Sequence, residues 1–524
     1  MPFLLLIFLA MVCLPDLDDL PHPAFVWISS PVWSAALTWL AVASVTLYAR
    51  WMSQRVVRPL ECDPAQRFPL APRYERWRWI HPFVVYGAYV VALCVFGWGW
   101  AVNDFWRWHG SAVLPGAELM LLSPFLASLL LSWAFFYDAD RANHHAVHRI
   151  TEEDALARAL ATENDGQPGT PPFVGRWEYV LFQFRQKLAL EFLPLILLIG
   201  QKELNRLIPS SWQEWQGTVN LGGALAGLCV VLGMPWILRV LLGLKPLPDG
   251  PLRDRLLNAA RRLNFRCSNI LQWDTHHAMA NALVIGLAPW PRYVVFTDQL
   301  LEDFRPEEVE GVFGHEVGHV KHQHMLYYLV FFFASIAALG MVVNVYLSDL
   351  LQLASVGREA VADVEATETA GFGLGAYLQV LPMAAFMLAY IFIVFGFLSR
   401  RCERQADIYG CRAVSCDRAD CNGHGQDARL AAGGHGLCAS GIRTFIRALD
   451  KVAYVNGISR DRPGFMQSWR HSTIARRVAF LERILADPGT ERRFQQRVAC
   501  FKWALVLVIG AVLVLLLRLN GWNF

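Results

Sequence analysis

Eight long apolar stretches constrain the fold of this chain more than any other feature of its sequence. Each approaches or exceeds the roughly 20 residues that a helix needs to cross the hydrocarbon core of a bilayer. Hydrophobic residues make up 55% of the 524 residues and charged residues only 17%, a composition that departs from soluble proteins toward membrane proteins. The stretches are residues 24–49, 80–102, 112–137, 186–208, 217–243, 325–347, 373–398 and 500–519. We therefore predict a mainly α, polytopic transmembrane helical bundle rather than a large soluble protein with many buried helices.

Positive charge is unevenly distributed between the predicted loops. The loops after the first, third, fifth and seventh stretches are rich in arginine, whereas the loop at 348–372 sets Arg358 against a surplus of Asp and Glu. Because cytoplasmic loops carry an excess of Lys and Arg, this pattern predicts that both chain ends lie outside and the large loops in the cytoplasm. The membrane would be the plasma or inner membrane if the source is bacterial. The net charge of +3 gives no indication of nucleic-acid binding, so the predicted partner is the lipid bilayer.

The apolar stretches divide the chain into membrane and soluble parts. Residues 1–20 hold a short apolar segment, which has no Lys or Arg before it and is only weakly signal-like. The other predicted parts are an N-terminal transmembrane region of about five spans at 24–243, a first soluble part at 244–324, two spans within 325–398, a second soluble part at 399–499 and a C-terminal span at 500–519.

A His-Glu-x-x-His motif lies at 315–319, in the first soluble part. On a helix, His315 and His319 are one turn apart and face the same way, so that both imidazoles can bind one zinc ion. Glu316 can then reach the attacking water as a general base. Pro306, followed by an acidic first turn, predicts where this helix begins. Taken alone, the motif also fits a helix with two chance histidines.

A catalytic zinc ion needs three protein ligands and one open position. The best candidate for the third ligand is Glu403, which follows the seventh apolar stretch. Asp407 lies one helical turn later on the same face and could accept a hydrogen bond from a ligand histidine, fixing its tautomer. The alternative is a solvated, charged helix just outside the membrane.

Four stretches together resemble one family, the integral-membrane zinc metallopeptidases that include the type I CAAX prenyl endopeptidase and the bacterial heat-shock membrane protease (metallopeptidase family forty-eight). Phe-Leu-Ser-Arg-Arg-Cys-Glu-Arg-Gln-Ala-Asp at 397–407 resembles the third-ligand motif of this family. In the expected order, residues 281–283 with 292–301 resemble its β-ribbon, residues 315–321 its zinc helix, and residues 471–477 its late His-Pro-x-x-x-x-Arg motif with Ser472 in place of Pro. The resemblance covers about 250–480.

The resemblance implies a gluzincin-type zinc peptidase domain that contains a small β-ribbon, and the loop charges predict that this domain lies on the cytosolic face. It implies one catalytic zinc ion. The implied zinc ligands are His315, His319 and Glu403. Glu316 would be the general base and then the proton donor to the leaving amine, and Asp407 would support a ligand histidine.

The resemblance also implies residues that contact the substrate. His471 would stabilise the developing oxyanion, and Arg477 would help to hold Glu403 or the substrate. Asn281 and Ala282 would lie on an edge strand that pairs with the extended peptide, a mode of binding that tolerates many side chains.

The remaining histidines and cysteines are not expected to bind the catalytic metal. We expect His322 and His324, which continue the zinc helix, to be solvated or interfacial rather than ligands. The insertion at 411–441 is rich in Gly, Cys and His, and we expect an unliganded loop there, with a second, structural metal or disulfides as alternatives. The cysteines that would hold such a metal are Cys411, Cys416, Cys421 and Cys438.

These observations predict a membrane-embedded zinc endopeptidase that acts on membrane-associated polypeptides. Processing of prenylated C-termini is a narrower version of the same activity. The alternative from a different functional class is a transporter or scaffold with a vestigial zinc site. The presence of every residue needed for the chemistry argues against this alternative.

Overall fold

The structure is a computed structural model whose helices and strands form two compact units. The described residues up to Gly233 belong to the first unit, and those from Met234 to the second. The residues that the structure describes are 20, 22–63, 67–108, 112–159, 173–187, 196, 199–204, 216–276, 279–286, 288–331, 389, 391–416, 436–456, 458–461, 469 and 471–519.

Helices dominate the first unit. They are α1 (Pro31–Cys62), α2 (Arg67–Cys94), α3 (Trp98–Phe105), α4 (Ala117–Ala159), α5 (Arg176–Lys187) and α6 (Gln216–Leu241), which continues into the second unit. A two-stranded ribbon of β1 (Arg107–Trp108) and β2 (Ala112–Val113) joins α3 to α4.

One face of α1 is buried and the other is both apolar and exposed. The buried positions recur every three or four residues along the helix, as in packing against neighbouring helices. The opposite face exposes large side chains, among them Trp33, Leu40 and Leu47, whose exposed fractions are 58%, 62% and 58%. Such a face is costly in water and favourable in lipid. The sequence and the packing of α1 therefore both indicate a membrane helix.

Described helices cover the first, third, fifth and eighth predicted spans, and a bent pair of helices covers the second. The helices α1 and α4 are long and apolar enough to cross a membrane. The predicted span at 80–102 is bent by 60° between α2 and α3. Gly97, at the break, has a φ of 70°, which favours glycine. The predicted spans at 186–208, 325–347 and 373–398 lie largely outside the described residues.

The second unit contains a four-stranded mixed sheet. Its strands are β3 (Lys245–Pro246), β4 (Asn269–Trp273), β5 (Ala282–Ile285) and β6 (Tyr293–Thr297), in the order β3-β4-β6-β5. The pair β4–β6 is parallel and β5–β6 is antiparallel. The predicted small β-ribbon is thus the β5–β6 part of a larger sheet, and β5 lies at its edge.

Helices cover this sheet and complete the second unit. They are α7 (Pro251–Arg262), α8 (Asp298–Asp303), α9 (Pro306–Lys321), α10 (Gly396–Ala413), α11 (Ala439–Val455), α12 (Ile474–Ala486) and α13 (Gly489–Leu519). The predicted start of the motif helix at Pro306 is confirmed. A π-helical turn, Ile391–Phe395, precedes α10.

The motif helix α9 is fixed on two sides. Its apolar side chains Val309, Phe313 and Val317, four residues apart, are fully buried in the core formed with the sheet and α7. Glu310, also buried, forms ion pairs with Arg255 and Arg262 of α7. The histidine face of α9 is therefore directed away from the sheet.

That histidine face packs directly on α10 through glycines. A Cβ added at Gly314 would lie 2.3 Å from the Cβ of Ala413, and one added at Gly318 would lie 2.8 Å from the Cβ of Tyr409. Gly410 of α10 is equally confined, because its Cβ would lie 2.9 Å from the Gly311 carbonyl oxygen. Small residues thus let two helix backbones touch.

We predict that Gly314→Ala destabilises the second unit by about 1–3 kcal/mol, because the added methyl group overpacks the contact between α9 and α10. Thermal unfolding measures the effect. Gly233→Ala is the matched control, because nothing lies within 4 Å of its added Cβ and alanine favours a helix by up to about 1 kcal/mol. Equal melting temperatures for Gly314→Ala and the wild type would contradict the close crossing.

Candidate metal centre

Three candidate ligands converge where α9 crosses α10. His315 and His319 come from α9 and Glu403 from α10, and one ligand atom of each lies within 4.8 Å of the others. The two Nε2 atoms are 3.2 Å apart. The Glu403 carboxylate oxygens lie 3.7 Å from His315 Nε2 and 3.8 Å from His319 Nε2. Among the described residues this is the one group that brings such donors together.

The donor set fits zinc. Two nitrogens bound to the same tetrahedral zinc ion, each at 2.0–2.1 Å from it, are about 3.3 Å apart. This is close to the separation of the two Nε2 atoms. Both rings also point Nε2 at the centre, since the Nδ1 of His315 and the Nδ1 of His319 face other side chains at 3.0 Å. Two neutral imidazoles and a carboxylate are ligands that catalytic zinc sites use.

Glu403 is surrounded by groups that favour its charged form. Its Oε1 lies 2.9 Å from His471 Nδ1, and its Oε2 lies 3.7 Å from Arg477 Nη1. Burial alone would raise the pKa of Glu403, but His471 and Arg477 outweigh it and hold that pKa well below its usual range. The carboxylate is therefore ionised and ready to bind a cation.

Asp407 stands behind His315, as the sequence predicts. Its Oδ1 lies 3.0 Å from His315 Nδ1. Arg477 Nε donates to Asp407 Oδ2 over 2.9 Å, and its Nη2 donates to Oδ1. Burial opposes ionisation of Asp407, yet Arg477 lowers the pKa of the carboxyl group. Because Arg477 is buried, it holds the two carboxylates rather than reaching out to a substrate.

Glu316 lies beside the three ligands, on the side of the sheet edge. The Val284 backbone N–H of β5 donates a hydrogen bond to its carboxylate. Burial raises the pKa of Glu316 to about 7. A carboxyl group with that pKa can take up and release a proton near neutral pH.

The predicted substrate residues lie at the start of the same edge strand. Ala282 begins β5, and Asn281 precedes it with its backbone tied to Thr297 of β6. Since the Val284 N–H points away from β6 toward Glu316, the open edge of β5 runs alongside the zinc helix. Both predicted residues therefore lie on an edge that passes the candidate general base.

His471 is half exposed and contacts Glu403. The next residue, Ser472, has a φ of 66°. Proline cannot adopt this backbone conformation, because its ring fixes φ near −65°. The Ser472 departure from the family motif is thus required by the local backbone and is not a neutral exchange.

His324 was not predicted to be part of the site. It is fully buried, so the expectation of a solvated or interfacial residue was wrong. Its Nδ1 lies 3.0 Å from His319 Nδ1, and its Nε2 lies 3.1 Å from Gln405 Oε1. On an uninterrupted helix it would point about 140° away from His319, but Gln323, with a φ of 55°, turns the chain and brings it back.

The cysteine cluster lies partly outside the described residues, since Cys421 is not among them. Cys411 is buried in the core between α10, α11 and α12. The Cys438 thiol accepts a hydrogen bond from the Gly441 N–H and caps α11. These two cysteines thus have structural roles in the described part of the chain.

We predict that Ser472→Pro, which restores the family residue, lowers both stability and zinc content. The fixed φ of proline is incompatible with the positive φ observed at Ser472, and this conflict costs more than about 1 kcal/mol. A change of the backbone that relieved the conflict would displace His471. Ser472→Gly, which accepts a positive φ, is the control and should bind zinc as the wild type does. A Ser472→Pro protein with wild-type melting temperature and zinc content would refute the prediction.

Comparison with known proteins agrees with the motifs. Residues 246–461 match the model of peptidase family M48. A protease HtpX homolog from Methanocaldococcus jannaschii is 44% identical over 46 residues, a match that spans 9% of this chain and 16% of the relative's length. Among solved structures, Ste24p from S. mikatae is similar over 86% of this chain and 99% of that chain, with 17% sequence identity and a TM-score of 0.40. The resemblance found in the motifs is thereby confirmed for residues 246–461, the part of the chain that matches the model of peptidase family M48.

Proposed function

We propose that this chain is a membrane-embedded zinc endopeptidase that hydrolyses peptide bonds of membrane-associated polypeptides. The observation that carries this proposal is the convergence of His315, His319 and Glu403 within 4.8 Å, with Glu316 beside them. The apolar helices α1 and α4 support the membrane location. The arginine-rich loops support a site on the cytoplasmic side.

The zinc ion, when bound, would activate water and polarise the scissile carbonyl group. Glu316 takes a proton from the attacking water at its carboxylate and later gives it to the leaving amine nitrogen. His471, which lies at the open side of the site, donates a hydrogen bond to the oxygen on which negative charge develops. Donors of this kind contribute roughly 3–4 kcal/mol to stabilisation of the transition state.

The substrate would bind as an additional strand on β5. Backbone hydrogen bonds to an exposed sheet edge hold a peptide in the extended form without selecting its side chains. Because this edge runs past Glu316, the bound peptide would bring a scissile bond to the general base. Strand addition thus explains how one site could act on diverse polypeptides.

Processing of prenylated C-termini is a second candidate, favoured by an apolar groove. A cavity of about 600 Å³ in the second unit is lined mainly by aromatic and aliphatic side chains, with two arginines. Its lining includes Arg400, one turn before Glu403, and Trp469, two residues before His471. A lipid chain attached near the scissile bond would find apolar surface there.

We predict that Glu316→Gln retains zinc but lowers the rate of peptide cleavage by about 10²–10⁴-fold, since an amide cannot act as a general base. The measurement is cleavage of an unmodified membrane polypeptide and of a farnesylated peptide by purified protein. Glu307→Gln, the same substitution in the first turn of α9, is the control and should leave the rate unchanged.

Three outcomes of that experiment are informative. A wild type that holds zinc but cleaves neither substrate, like Glu316→Gln, would identify a vestigial site in a non-enzyme. A kcat/KM that is much higher for the farnesylated peptide would favour processing of prenylated termini. Comparable values for both substrates would favour the broader endopeptidase.

We predict that Glu403→Ala lowers zinc content from one ion per chain to almost none, because two histidines alone hold the metal weakly. Metal analysis of the purified protein measures this. Glu403→Gln, which keeps the shape of the side chain, guards against simple misfolding and should also lose zinc. Glu482→Ala, an exposed change on α12, should not. Full zinc content in both Glu403 variants would place the third ligand elsewhere.

A further inference from the structure

A chain of buried polar side chains leads from the zinc ligand His319 to the C-terminal helix. His319 Nδ1 lies 3.0 Å from His324 Nδ1, and His324 Nε2 lies 3.1 Å from Gln405 Oε1. Gln405 Nε2 then donates to Gln495 Oε1 of α13 over 2.6 Å. The exposed fraction is 0% for His324 and 4% for Gln405, so water does not compete for the contact between these two side chains.

We propose that His324, Gln405 and Gln495 form a positioning relay that fixes the tautomer and orientation of the zinc ligand His319. This inference rests on the proposed function, because it assigns a role toward the same zinc ion. Gln495 lies outside the part of the chain that matches the family model, residues 246–461. The relay therefore makes α13 a component of the site.

Metal binding sets the direction of every hydrogen bond in the relay. When Nε2 of His319 binds the metal, its Nδ1 must carry the hydrogen and donate to His324 Nδ1. His324 then carries its hydrogen on Nε2 and donates to Gln405 Oε1. The Gln405 amide nitrogen in turn donates to Gln495 Oε1, so each group has one consistent role.

The opposite direction is incompatible with the metal. If His324 donated to His319 Nδ1, the hydrogen of His319 would lie on Nε2 and block the ligand position. A doubly protonated His324 is disfavoured because it is fully buried and would have to donate to the Nδ1–H of His319. With the metal bound, the relay therefore stabilises the His319 tautomer that carries its hydrogen on Nδ1 and leaves Nε2 free for the metal.

His324 is not itself a fourth ligand. It contacts His319 through Nδ1, the ring nitrogen opposite to the one that faces His315 and Glu403. The turn at Gln323 holds it on that outer side. A positioning role is what this placement permits.

The α13 helix is anchored beside the relay by a second contact. Lys502 Nζ donates to the His322 backbone carbonyl over 3.0 Å, just after the end of α9. Lys502 is itself buried. Two side chains of α13, seven residues apart and hence on one face, therefore reach the region where the zinc helix ends.

The test is the zinc dissociation constant of purified full-length variants, measured by competition with a chelator, with the visible absorption of the cobalt-substituted protein as a second readout. His324→Phe keeps a ring but no hydrogen bonds, and we expect zinc affinity to fall by about 10–100-fold. His324→Gln can accept from His319 and donate to Gln405, and should restore affinity to within about threefold of the wild type.

A matched pair on α13 tests the far end of the relay. Gln495→Ala should weaken zinc binding by up to about 10-fold, whereas Gln496→Ala, its exposed neighbour, should not change it. The cobalt spectrum should change for His324→Phe and Gln495→Ala and stay constant for Gln496→Ala. Gln495 is only partly buried, so Gln495→Ala should fold. This variant therefore tests the relay even if His324→Phe does not fold.

The outcomes separate this inference from the proposed function. A wild type that binds no zinc would overturn the proposed function itself. A wild type that binds zinc, with equal affinity in His324→Phe, would overturn the relay and leave the proposed function intact. Equal affinities for Gln495→Ala and Gln496→Ala would overturn the involvement of α13.

Discussion

The backbone contact between α9 and α10 is the constraint on which the rest of the site depends. Histidine and glutamate side chains reach only a few ångströms from their helices, so three of them meet at one point only if the two helices touch. Gly314 and Gly318 on α9 and Gly410 on α10 permit that contact. A larger side chain at one of these glycines would overlap the facing helix and press the two helices apart.

The close crossing also concentrates negative charge, which the second unit has to compensate. Glu316, Glu403 and Asp407 lie within one small region, and burying carboxylates without partners is costly. Arg477 compensates part of this charge by holding Asp407 with two hydrogen bonds and lying near Glu403. Among the described residues, the negative charge that Arg477 leaves uncompensated lies next to the three candidate ligands. A divalent cation bound there would neutralise it.

The sequence predicted those parts of the site that depend on local periodicity, and missed those that depend on turns. The helix start at Pro306 follows from the preference of proline for the first turn, and the shared face of Glu403 and Asp407 follows from helical geometry, which is the same in every helix. The position of His324 does not, because a single residue of positive φ at Gln323 redirects it. The backbone at Ser472 is a second example, since no pattern of side chains shows its left-handed conformation.

Each of the three candidate ligands is supported by a different later part of the chain. His315 is backed by Asp407, which Arg477 of α12 holds, and Glu403 is contacted by His471, just before α12. His319 is backed by the relay that ends on α13. A site assembled from the motif alone would leave all three side chains free to rotate, at a cost in affinity for each. High-affinity metal binding should therefore appear only after α12 and α13 have packed onto α10, which couples the metal centre to the folding of the C-terminal part of the chain.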